Sequence, residues 1–131
     1  RDLRMSRGLG DVYKRQLMHE LGIVMQVVDQ VEQVAEENSV SQVRRVNMEI
    51  GEVSGVVPEL FTDCFHWAKK RTQHLREAEL EIILLEGVSY CQDCKGTYKT
   101  TDYAKECPHC GSRRTYLLTG NEINIRDIEV T

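Results

Sequence analysis

Four cysteines are the residues in this chain best spaced for chemistry. They fall in the pattern Cys91-x2-Cys94-x12-Cys107-x2-Cys110, with Gly96 and Gly111 shortly after each pair and Pro108 inside the second. Two residues between cysteines let both sulfurs turn toward one ion while backbone N–H groups face the thiolates. Two such hairpins complete the tetrahedral four-sulfur shell of structural zinc. Thiolate is the form that binds metal, and a divalent ion favours it. Iron is the rival ion, because ligand softness alone does not separate the two. Four protein ligands leave no open coordination position, so the site is expected to be structural and not catalytic. A redox Cys-x-x-Cys pair normally comes singly, and two disulfides would be unusual in the cytosol. His109, inside the second pair, reads as a solvent-facing residue of the knuckle. Cys64, the fifth cysteine, reads as a small apolar residue on a helix face.

The elements around this cluster follow from periodicity. Leu21, Val24, Val27, Val28, Val31, Val34 and Ala35 recur at helical intervals, predicting an amphipathic helix that ends near Asn38 and Ser39. Val43 to Gly51 alternates, with Val46, Met48 and Ile50 on one side and Arg45, Asn47 and Glu49 on the other, as a half-buried strand does. The turn GEVSG follows. Pro58 then suits the first position of a helix, where its missing N–H costs nothing. Leu60, Phe61, Cys64, Phe65 and Ala68 form that helix's apolar face, running out around Arg71. Leu80 to Glu86 is more uniformly apolar and reads as a central strand. Residues 89–118 have few aliphatics and cannot build a core of their own, so they need a metal staple. Glu122 to Val130 alternates again and is expected to return to the first sheet. The fold class is α+β: a small sheet of about three strands with two helices, plus an inserted four-cysteine zinc-ribbon-like domain.

Composition bounds the rest. The 131 residues, 40% hydrophobic and 29% charged, fit one small folded domain with an insert. No apolar run reaches the roughly 18 residues of a membrane span. Net charge is −4, which argues against a general nucleic-acid binder. The first seventeen residues, RDLRMSRGLGDVYKRQL, stand apart. They carry five basic groups against two acidic ones and lack a secretory apolar core, and they read as a non-native leader. Without them the charge falls to −7, from 12 of the 17 basic and 19 of the 21 acidic groups. The chain would then begin Met18-His19-Glu20. The expected organisation is a leader over 1–17, an α/β domain over 18–88, a zinc insert over 89–118, and a closing strand over 119–131. No Ser/His/Asp set, phosphate loop or open metal triad is present, so the chain does not read as an enzyme. His66 and His74 read as surface residues. A zinc ribbon binding nucleic acid or a protein partner is the alternative function, because Tyr90, Tyr98, Tyr103 and Tyr116 could stack on bases within a mildly basic knuckle.

Met18-His19-Glu20-Leu21 opening a helix, Gly51-Glu52-Val53-Ser54-Gly55-Val56-Val57-Pro58-Glu59 after the first strand, and the two cysteine pairs together resemble the HypA/HybF family. Its members are nickel metallochaperones of [NiFe]-hydrogenase maturation. The resemblance covers residues 18–131 and implies a small α/β nickel domain with a zinc domain inserted in it. It implies that His19 is the essential nickel ligand, that Glu20 belongs to the same site, and that the α-amine of Met18 takes part when Met18 is the N-terminus. It further implies a cytoplasmic protein that delivers nickel to the hydrogenase large subunit with the GTPase HypB. Some members also serve urease, and a homodimer is among the assemblies open to such a protein. The chemistry agrees. Ni(II) favours square-planar nitrogen coordination, and an α-amine titrating near pH 8 releases its proton to a metal readily. With histidine second, the amine, the intervening amide and the imidazole form fused chelate rings. The leader would move the α-amine to Arg1 and break that chelate.

Overall fold

The structure is a computed structural model that describes residues 3–131, with side chains from residue 14 onward. The elements run α1 (Leu3–Glu37), β1 (Val43–Gly51), α2 (Pro58–Lys69), β2 (Glu79–Leu85), β3 (Val88–Cys91), β4 (Thr97–Lys99), α3 (Thr100–Tyr103), β5 (Thr115–Thr119) and β6 (Ile123–Val130). They form two three-stranded sheets, ordered β2-β1-β6 and β4-β3-β5. The chain divides into two compact units. One holds the segment up to Val46 with Val57–Leu80 and Ile128–Thr131; the other holds Asn47–Val56 and Glu81–Asp127.

In the first unit α1 packs on α2. Val24, Val27, Val28, Val31 and Ala35 of α1 are buried, as are Phe61, Cys64, Phe65 and Ala68 of α2, with Leu75 and Ala78 from the segment that follows. Spacings of three and four residues place each set on one helix face. Val34 is the exception. It is 45% exposed, because the stripe that α2 covers is narrower than the apolar run in the sequence. Helix α1 also begins far earlier than its apolar periodicity: it runs unbroken from Leu3 through Leu21. Residues 3–20 contain no proline, so nothing in them ends a helix already nucleated downstream. The loop after α2 is tied to α1 by Glu32, which accepts hydrogen bonds from the His74 backbone N–H at 2.7 Å and pairs with its Nδ1 at 2.8 Å. His74 is thus a half-buried partner of a carboxylate and not a free surface residue.

Strand β1 alternates as expected, with Val46, Met48 and Ile50 fully buried. It is also the central strand, and the expectation for β2 is corrected: β2 lies at the sheet edge, with Leu84 58% exposed. An unbroken apolar run reports burial on both faces, whereas the middle strand of a sheet covered on one face needs only one apolar side. Strand β6 returns to pair beside β1, from the far end of the chain.

The second unit contains a ribbon in which β3 pairs antiparallel with both β4 and β5. Val88 pairs with Thr119 beyond a shift in register at Ser89, so the ribbon starts and finishes at one place. Three glycines make that place. A Cβ on Gly51 would lie 1.9 Å from the Gly120 carbonyl oxygen, and one on Gly120, whose φ is +114°, would lie 2.4 Å from the Gly87 Cα. The backbones cross where no side chain fits. Hydrogen bonds from Val53 N–H to Gly120 O and from Gly51 N–H to Glu122 O hold the crossing, and Glu52 Oε1 accepts the Gly87 N–H at 2.7 Å.

Candidate metal centres

The cysteine centre is built from two copies of one backbone turn. In the first, Lys95 N–H donates to Cys91 O and Cys91 N–H to Gly96 O. In the second, Gly111 N–H donates to Cys107 O and Cys107 N–H to Ser112 O. Each turn closes on a residue of positive φ, Lys95 at 62° and Gly111 at 74°. That geometry turns both sulfurs of a pair inward.

All four sulfurs lie within 4.8 Å of one another. Cys91 Sγ to Cys110 Sγ and Cys94 Sγ to Cys107 Sγ are both 3.6 Å, and all four cysteines are free thiols. A tetrahedron of zinc–sulfur bonds of about 2.3 Å would set its corners about 3.8 Å apart, so the cage has the right size. Among the described residues this is the one group of three or more side chains placed to hold a metal ion. His109 remains exposed, its backbone N–H donating to Cys107 Sγ at 3.4 Å. Cys64 is remote from this set in sequence and buried against α1 and α2 neighbours, where burial raises its pKa, with Glu20 and Asp63 adding to the effect.

The electrostatics of the cage call for a cation. The Cys94 backbone N–H donating to Cys91 Sγ outweighs burial and lowers the Cys91 pKa to about 6. Cys110 is pushed up to about 12. The Ser112 N–H pulls it down, but the Cys91 sulfur, burial and the other two sulfurs together push harder. One thiolate is favoured, and a second beside it is opposed. A divalent ion at the centre removes that opposition.

The other residues of interest form a corner in the first unit, where α1 meets the N-terminus of α2. Met18 is 73% exposed. His19 is half exposed, whereas Glu20 is fully buried. Glu20 Oε1 lies 2.5 Å from His19 Nδ1, and Oε2 accepts the Val57 N–H at 2.6 Å and the Gln16 Nε2–H at 2.8 Å. Val57 is the N-cap of α2 and has no side-chain cap of its own. Sequence reasoning brought Met18, His19 and Glu20 together but missed Val57. Its contribution is a backbone N–H, which leaves no signature in residue type.

Comparison with known proteins gives the family. A family model described as hydrogenase/urease nickel incorporation, metallochaperone, hypA matches residues 18–130. The hydrogenase maturation factor HypA of Dechloromonas aromatica is 35% identical over 113 residues, covering 86% of this chain and 99% of the relative. HypA of Albidiferax ferrireducens is 33% identical over the same spans. The solution structure of the Ni metallochaperone HypA from Helicobacter pylori superposes with a TM-score of 0.63 at 25% identity, covering 85% of this chain and 96% of that one. A further HypA solution structure gives a TM-score of 0.67 at 28% identity, covering 87% and 97%. The chain belongs to the HypA family of hydrogenase nickel-incorporation metallochaperones.

Proposed function

We propose that this protein carries Ni(II) at the start of α1, with His19 as the essential ligand and Met18 and Glu20 in the same site, and that Cys91, Cys94, Cys107 and Cys110 hold a structural zinc ion. The observation that carries the nickel reading is that the family match begins at Met18, which makes Met-His-Glu the first three residues of the matched segment. An exposed Met18 beside a half-exposed His19 suits a cargo that must be handed on. Four inward sulfurs within 4.8 Å support zinc.

The chain would supply the α-amine of Met18, backbone amides and the His19 imidazole. In a chain that begins at Met18, the amides of His19 and Glu20 lie in the first helical turn and have no carbonyl partner. They are then open to a metal. In the 131-residue chain α1 starts at Leu3, so the same amides donate inside the helix, and the α-amine belongs to Arg1 and not to Met18. Delivery would be to the large subunit of [NiFe]-hydrogenase in the cytoplasm with the GTPase HypB, and the family description extends the client range to urease.

A nickel titration tests this reading, using protein starting at Met18, the same protein with His19→Ala, and the full chain, each with its zinc content measured. The Met18 form is expected to bind one nickel and the other two to lose most of it. Equal binding by all three would remove His19 from the site. Absence of binding in all three, with zinc present, would return the zinc-ribbon binding module as the better account.

A further inference from the structure

We infer that Glu20 is a positioning residue: its buried carboxylate sets the His19 ring and caps α2, and does not itself ligate nickel. The inference rests on the reading that His19 carries nickel.

Both carboxylate oxygens are committed. Oε2 accepts the Val57 N–H at 2.6 Å, and Oε1 faces His19 Nδ1 at 2.5 Å. The side chain has no exposed surface, whereas the neighbouring histidine ring is half exposed. Helix α2 explains why the carboxylate stays there. Its N-cap, Val57, has no side-chain acceptor, and its first residue is Pro58. A glutamate inside the helix often reaches back to the N-cap N–H. Here the glutamate comes from α1, 37 residues earlier. A negative charge at that end also meets the positive pole of the helix. Leaving it to bind an ion at the surface would strip α2 of its cap.

The consequence for His19 is specific. A carboxylate oxygen accepts, so Nδ1 carries a proton in this contact. The contact of the ring with Glu20 is made through Nδ1. A fused chelate from the preceding backbone can reach only Nδ1, the nitrogen that Glu20 holds. Nickel must therefore replace Glu20 at Nδ1. The Nδ1 proton leaves to solvent, and Nε2 is left carrying the proton of the metal-bound imidazole. Glu20 keeps its bond to Val57 throughout. The carboxylate fixes the ring before loading and steps aside during it, the part outer groups play around metal-binding histidines.

Two measurements test this. In the zinc-loaded, nickel-free full chain, imidazole nitrogen NMR shifts should report the Nδ1–H tautomer for His19. Glu20→Gln should switch it to Nε2–H, because the amide oxygen takes the Val57 N–H and its NH2 then faces Nδ1. An Nε2–H ring in the parent, or no switch in the variant, overturns the inference; the parent spectrum decides even if the variant fails to fold. The second measurement uses protein from Met18 to Thr131, which contains the whole span of the family match. Saturated with Ni(II), Glu20→Gln should show the same visible d–d band and stoichiometry as the parent. A displaced band would make the carboxylate a ligand and sink the inference while the site stands. Retention of the band by His19→Ala would instead sink the site itself.

Discussion

Cys107 shows most clearly what one residue does in this fold. It is 1% exposed, it closes a turn through both its N–H and its carbonyl, and its sulfur is one corner of the cage. Cys107→Ala should therefore lose bound zinc and the chemical-shift dispersion of residues 89–118 together; a dispersed spectrum for that stretch would contradict the staple argument. Acid should act through the same sulfurs. Cys110 is held high, at about 12, and Cys91 low, at about 6, so protons compete least at Cys91 and most at Cys110. Protons and a bound ion compete for the same sulfurs, so zinc should be held more weakly as pH falls and be released in acid. Zinc captured by a colorimetric chelator across a pH series measures this, and release that does not change with pH would count against a thiolate cage.

Helices and strands were legible in the sequence wherever one side of an element is apolar. Strand β1, helix α2 and strand β6 appear almost residue for residue, because alternation and helical spacing survive in the side chains. The place of β2 did not, since strand order depends on connections and not on any one strand's composition. The cysteine cage was legible from spacing alone, because metal geometry constrains the ligands directly. The Glu20 corner was legible only in part, since a backbone donor at Val57 completes it. The glycine crossing was likewise visible as glycines but not as a crossing. It carries a prediction at this scale. Gly120→Ala places a methyl group 2.4 Å from the Gly87 Cα at a φ that side chains rarely adopt, and should cost about 3 kcal/mol in urea unfolding. Phe65→Ala, which empties the buried face of α2, should cost about 3–5 kcal/mol. A loss below 1 kcal/mol in either would mean that the contact described is not made.

For the whole molecule, the ordering of strands along the chain matters more than any single contact. The first sheet takes its middle strand from residues 43–51 and its last from residues 123–130. The ribbon lies between them in sequence, with its four sulfurs spaced over only 20 residues, and it returns the chain to its starting point where Val88 pairs with Thr119. During synthesis β6 leaves the ribosome after the ribbon, and until then one edge of β1 has no partner. A ribbon already closed on zinc shortens the loop that β6 must span from more than thirty flexible residues to a few, which lowers its closure entropy. The ion in the cage would thus act as a clock for biogenesis: a cell short of zinc would make this chain with an open sheet edge, the kind of surface on which aggregation begins.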